Sequence, residues 1–163
     1  MSTESAGLVA LAPGAGLPIP GAGSRPGNEL VVKALEADTR GAYSLLEWRS
    51  ERAGAWVPPH IHQAEEEAWY VLEGELTFRI EDRTIPAPAG SFILVPRGTL
   101  HSFANTGGPA RYLQLFSPGG MERYFAERAA LLKDVAPDTR DRTALSDLNR
   151  RYGMEFVEAS PTS

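Results

Sequence analysis

The 163-residue chain contains no cysteine, so neither disulfides nor thiolate ligands are available to it, and any metal it binds is held by nitrogen and oxygen donors. Its basic residues form no block and its formal charge is −5, which argues against nucleic acid or an anionic membrane surface as partner. No apolar run approaches the roughly 20 residues of a membrane span. The N-terminus has no basic residue before its short apolar patch, Gly7 to Ala12, and so lacks the pattern of a secretory signal. A cytoplasmic protein acting on a small molecule is the expectation. With 42% hydrophobic and 23% charged residues the balance is that of a globular chain, long enough for one sizeable core and short for two.

Histidine is also scarce, and its three copies are not scattered. Gly54, five residues, His60-Ile61-His62, four residues, Glu67, six residues and Gly74 make one pattern. Gly90, five residues, Pro96-Arg97-Gly98, two residues, His101, three residues and Asn105 make a second. A His-x-His pair on a strand directs both imidazoles to the same face, and imidazole is the commonest protein metal ligand. Glu67 opens the next apolar stretch, so a tight turn after His62 brings its carboxylate back beside the pair. The expected site therefore combines three imidazoles and one carboxylate.

The two patterns match the paired signature motifs of the cupin superfamily position for position. Within it, the run Pro58-Pro59-His60-Ile61-His62 through Glu67-Ala68-Trp69-Tyr70-Val71-Leu72-Glu73-Gly74 resembles single-domain, quercetin 2,3-dioxygenase-like cupins. Upstream Ser44-Leu45-Leu46-Glu47, and downstream Phe116-Ser117-Pro118-Gly119-Gly120 and Arg151-Tyr152-Gly153-Met154-Glu155-Phe156, extend the likeness over roughly residues 28 to 158. The resemblance implies an all-β fold, a jelly-roll β-barrel with a short C-terminal helical segment. It also implies one divalent transition metal (Fe, Mn, Ni, Co, Cu or Zn) on His60, His62, Glu67 and His101, and a homodimer paired through edge strands, which offer unpaired backbone groups. Cupin signatures allow three or four residues after the second histidine, so Glu66 and Glu67 both qualify. Only Glu67 leaves six residues before Gly74, and it is taken as the ligand. Strand alternation then sends Glu66 to the opposite, solvated face, and Glu65 falls in the loop. Asn105 is expected as a turn or supporting residue rather than a ligand.

Short β-prone runs at even spacing agree with a sandwich or barrel. They are Leu30 to Ala34, Ala42 to Trp48, Trp56 to His62, Ala68 to Leu72, Glu75 to Ile80, Ser91 to Val95, His101 to Asn105 and Arg111 to Phe116. Glu81-Asp82-Arg83 and Pro86 to Gly90 read as turns. Gly74 and Gly98 stand where a strand must reverse or approach another backbone closely. Residues 1–28 read as an irregular arm in which Leu8, Val9 and Leu11 can pair as an edge strand; residues 29–118 form the barrel. In residues 119–163, Met121, Phe125, Ala129 and Leu132 recur at helical spacing between Gly120 and Pro137, and Leu145, Leu148 and Tyr152 repeat it before a capping Gly153. These helices cover the barrel, a dimer partner, or the barrel mouth as a lid.

Four protein donors leave one or two positions open on a metal that prefers five or six ligands, the arrangement of a catalytic site. The resemblance implies dioxygenation of an enolic or phenolic aromatic molecule, with O2 as second substrate and Glu67 as the catalytic residue, either a ligand or a general base that swings away. Tyr70 packs on the outer face, and Trp56, Trp69, Phe92 and Phe103 are candidates for a ring-accepting pocket. Trp69 shares a strand face with Glu67 and Phe103 with His101, so Trp56, Trp69 and Phe103 are carried forward as substrate-binding residues. Two other readings are a metal Lewis acid serving a cyclase, isomerase or decarboxylase, and a non-catalytic small-molecule-binding cupin.

Overall fold

The computed structural model describes residues 7–23, 27–133, 135 and 141–157. Along these run β1 (Leu17–Pro18), β2 (Asn28–Ala34), β3 (Ser44–Ser50), β4 (His60–His62), β5 (Glu66–Glu73), β6 (Glu75–Ile80), β7 (Arg83–Pro88), β8 (Phe92–Val95), β9 (His101–Ala104), β10 (Ala110–Ser117), α1 (Met121–Leu132), α2 (Arg142–Arg151) and β11 (Met154–Phe156). One antiparallel sheet has the order β1-β2-β3-β10-β5-β8 and the other β11-β4-β9-β6-β7. The architecture is the expected jelly roll, though its two sheets remain separate ladders rather than closing into one barrel. No helix among the described residues is long and apolar enough to cross a membrane.

Four local expectations are corrected. The stretch Pro86 to Gly90 is not simply a turn: β7 runs through Pro86 and Pro88, paired with Thr77 and Glu75 of β6. It is tolerated because β7 is the edge of its sheet, where a missing N–H leaves no ladder partner unsatisfied. The strand expected from Trp56 shrinks to His60–His62, since Pro58 and Pro59 cannot donate to a ladder; Val57 N–H still reaches the Phe103 carbonyl at 2.8 Å, keeping the segment beside β9. Leu8, Val9 and Leu11 are exposed and pair with no strand among the described residues, and the arm instead joins the sheet at Leu17–Pro18. Finally, the chain after Gly153 forms β11, which no periodicity announced. Pro137, the expected limit of the first helix, and the tail after Val157 lie outside the described residues.

Inward side chains form two apolar clusters. Trp69, Val71, Leu76, Phe78, Val95 and Phe103 fill the space between the sheets. Leu30, Leu46, Phe116, Met121, Tyr124 and Leu148 join the sheets to α1 and α2, with Phe125 packed against them. Asp141 caps α2, its side chain accepting from the Thr143 and Ala144 N–H groups, and Gly153, at φ 63°, follows its C-terminus as expected. The helices thus cover one end of the jelly roll.

The outer face of the larger sheet is apolar too. Leu45, Leu115, Ala68 and Leu94 lie in one cross-strand row, and Leu113, Tyr70 and Phe92 in the next. Phe92 is 63% and Leu94 50% exposed, so Phe92 faces away from the interior and is removed from the pocket candidates. Glu47, on the same face, is buried but paired with Lys33 at 2.8 Å and Arg111 at 2.6 Å. Burial would raise its pKa, and these two cations hold it below the usual range.

Gly74 sits at φ 75° between β5 and β6, and a Cβ there would run into the Pro109 carbonyl oxygen. Gly74→Ala combines a left-handed backbone with this collision and is expected to cost about 2 kcal/mol or more in urea unfolding. Unchanged stability would show that the turn relaxes freely.

Candidate metal centre

The four ligand candidates arrive on three strands and meet at the junction of the two apolar clusters. β4 sends His60 and His62 inward on alternate residues, β9 pairs His101 directly with His60, and β5 places Glu67 opposite Phe116 of β10. One donor atom from each of the four lies within 4.8 Å of all the others, and all four residues are buried. Glu67 Oε2 is 2.9 Å from His101 Nε2 and 3.2 Å from His62 Nε2. The structure therefore brings together every residue of the expected ligand set.

Backbone carbonyls fix the direction of two of the rings. His60 Nδ1 lies 2.8 Å from the Pro58 oxygen and His101 Nδ1 2.9 Å from the Thr99 oxygen. A carbonyl only accepts, so Nδ1 of each ring carries a proton, and Nε2 is the nitrogen turned to the interior. His62 Nδ1 is 3.5 Å from Glu65 Oε2, at the outer limit of hydrogen bonding but well within ion-pair range. This carboxylate–imidazole support is the role that the sequence did not reveal for Glu65, which occupies the expected loop yet is largely shielded from solvent. Glu66 points outward to Arg97 at 3.6 Å. Asn105 is a tether, its amide donating to the carbonyls of Arg52 and Gly108.

Electrostatics separate the three imidazoles. Burial dominates at His60 and drives its pKa down to about 4, with Glu67 opposing. At His62 burial also disfavours the cation, but the Glu65 and Glu67 carboxylates overcome it and raise the pKa to about 9. Glu67 is held far below the carboxylate range, since the hydrogen bonds from His101 and His62 outweigh its own desolvation. A buried anion surrounded by inward-facing imidazole nitrogens, each ring supported from behind, fits a divalent cation.

Of the aromatic candidates, Trp69 and Phe103 lie at the site. The Trp69 ring centre is 5.8 Å from His101 and 5.3 Å from Phe103, and its indole N–H has no hydrogen-bond partner among the described residues. Trp56 is not with them: its ring lies under the Arg79 guanidinium, 4.0 Å from the centroid. Arg79 follows inward-facing Phe78 on β6 and so points outward, which places Trp56 on the outer surface. Gln114, Tyr112 and Trp48 also surround the site and were not anticipated. Gln114 donates to Glu67 Oε1 and accepts from the Trp48 indole N–H at 2.5 Å.

Comparison with known proteins agrees with this geometry. A Cupin domain model matches residues 50–116. Quercetin 2,3-dioxygenase from Bacillus subtilis (strain 168) is 26% identical over 94 residues, covering 58% of this chain and 28% of the relative, so the chain matches just over a quarter of that protein's length. The structure of KdgF from Halomonas sp. superposes with a TM-score of 0.53 at 21% identity, covering 61% of this chain and 87% of that one. A structure from Salmonella typhimurium LT2 assigned to ethanolamine utilization protein Q gives a TM-score of 0.50 at 26% identity, covering 61% and 76%. Residues 50–116 thus match a Cupin domain on a jelly-roll fold, and the buried cluster of three histidines and one glutamate in that region could hold a metal.

Two outcomes are expected in titrations with Co(II) or Zn(II). His62→Ala lowers affinity by more than about a hundredfold, because loss of a mere supporting partner already costs about 10- to 100-fold. In the unaltered chain, the ion must displace the proton that His62 holds up to about pH 9. Binding at neutral pH then releases a proton, and affinity rises about tenfold per pH unit toward that value before levelling. Affinity flat from pH 7 to 9 would contradict this order of events.

Proposed function

We propose that this chain is a metal-dependent dioxygenase of the quercetinase type, acting on an enolic or phenolic aromatic small molecule. The observation that carries the reading is the complete buried ligand set, met in a chain whose matched region is similar to quercetin 2,3-dioxygenase. A bound divalent ion would supply an open position for a substrate oxygen and bring it close to O2. The chain's own residues do the rest. Trp69 and Phe103 bound the interior beside His101 with flat apolar surface, and the unpaired Trp69 N–H is a donor for a substrate oxygen. Four ligands buried to 3% exposure or less keep bulk water from the reacting atoms.

One observation favours a second, non-oxidative reading. Glu67 is engaged by His62, His101 and Gln114 at once, so it is poorly placed to swing away and take a proton from an enol. A Lewis-acid cyclase, isomerase or decarboxylase that polarises a carbonyl asks less of it. Oxygen-electrode assays of the Fe-, Mn-, Ni-, Co- and Cu-loaded chain with quercetin and simpler enolic ketones separate the two. Oxygen uptake with loss of substrate is the expected result, and turnover without uptake would transfer the protein to the second class.

We further propose a homodimer formed through the apolar outer face around Tyr70, Phe92 and Leu94, beside the edge strand β8. Lys33 and Arg111 are balanced there by Glu47 and Glu73, the latter 3.1 Å from Arg111, which lowers the cost of removing this face from water. Light scattering after size exclusion is expected to give twice the chain mass, and Phe92→Asp to give the monomer. A monomeric unaltered chain would reject the interface.

A further inference from the structure

The Glu67 carboxylate has two oxygens with different surroundings. Oε2 faces His62 and His101, where the other donors converge. Oε1 accepts a hydrogen bond from the Gln114 side-chain amide. Gln114 is buried on β10, two residues before Phe116, the residue paired with Glu67. An amide side chain can present either its oxygen or its nitrogen, so what fixes its direction decides what Glu67 meets. The Trp48 indole, 2.5 Å from Gln114, can only donate. The atom facing it must be the amide oxygen, and the NH2 group is then turned toward Glu67. Trp48 is itself braced: it stacks on Tyr112 with ring centres 6.5 Å apart and meets Phe125 of α1 edge-on at 5.3 Å.

We propose that Gln114, oriented by Trp48, is a positioning residue that occupies one oxygen of Glu67 and presents the other as its metal-facing donor. This rests on the metal reading of the site. The chain Trp48–Gln114–Glu67 has one sense throughout, the donor-only indole fixing the amide and the amide NH2 group fixing the carboxylate, so Glu67 is turned before any ion arrives. It also joins the ligand to the helical cap, because Phe125 touches the indole from α1. The first-motif carboxylate thereby acts as a fixed ligand rather than a mobile base.

The test uses the full-length chain reconstituted with Co(II), read by its visible absorption spectrum and by its dissociation constant in chelator competition. Gln114→Met keeps the length of the side chain and removes both hydrogen bonds. It is expected to weaken Co(II) binding about 10- to 100-fold and to shift the visible bands. Trp48→Phe keeps an aromatic ring against Tyr112 and Phe125 but frees the amide to flip, and is expected to move both readouts in the same direction by a smaller factor. Circular dichroism and thermal unfolding identify variants that retain the fold. A folded Gln114→Met variant with an unshifted spectrum and affinity within about threefold of the unaltered chain would overturn the proposal while leaving the metal centre standing. If Gln114→Met does not fold, Trp48→Phe is judged by the same criterion. Failure of the unaltered chain to bind Co(II) would remove the metal reading itself and the proposal with it.

Discussion

A carboxylate with 2% exposure has to be neutralised from within, and in this protein that demand falls on Glu67. Among the described residues its ion-pair partners are the imidazoles of His62 and His101, with no lysine or arginine opposite it. In the metal-free state a proton on His62 supplies the compensating charge, and a divalent ion in the same space would supply it more completely. Much of the surrounding order serves this arrangement. The β4–β9 pairing sets His60 against His101, the β5–β10 register sets Glu67 against Phe116, and two loop carbonyls turn the rings. The jelly roll is thus a frame whose strand registers are read out as ligand positions.

How much of this was legible in the sequence follows from which residues carry a pattern. The ligands were, because spacing on short strands converts directly into a shared face, and because all three histidines were accounted for by two motifs. Glu65 was placed in its loop correctly, but nothing in the spacing shows that a loop carboxylate turns back toward His62. Gln114 was hidden for a more general reason. In β10 the outward residues Leu113 and Leu115 are apolar, so an alternating reading assigns the leucines to the core and the glutamine to solvent. The opposite is true, with Gln114 buried, because this sheet is apolar on both faces. The same ambiguity made Phe92 a candidate for the interior.

Trp56 shows a different limit. It lies within the first motif, yet it is the immediate neighbour of Val57, which packs inward, and that single step turns it outward to Arg79. Strand alternation is unforgiving in this way: proximity along the chain to a ligand says little about proximity in space unless the parity also agrees. Trp69 and Phe103 have the right parity relative to Glu67 and His101 and do reach the site. The aromatic pair and the candidate ligands Glu67 and His101 are therefore two products of the same period-two rule, drawn from β5 and β9 together.

β11 completes the ligand strand from outside. Met154 to Phe156 pair with His62 to His60, Val157 N–H reaches the Pro59 carbonyl at 2.9 Å, and the Phe156 ring stacks on His60 with centres 5.2 Å apart. This three-residue strand and its half-exposed phenylalanine form the roof over His60, and a small edge element of this kind opens at far lower free energy than the sheets beneath it. The direction of the His60 ring therefore depends on a segment that lies beyond both motifs and both helices, so a change at Phe156 reaches the centre without touching a ligand candidate.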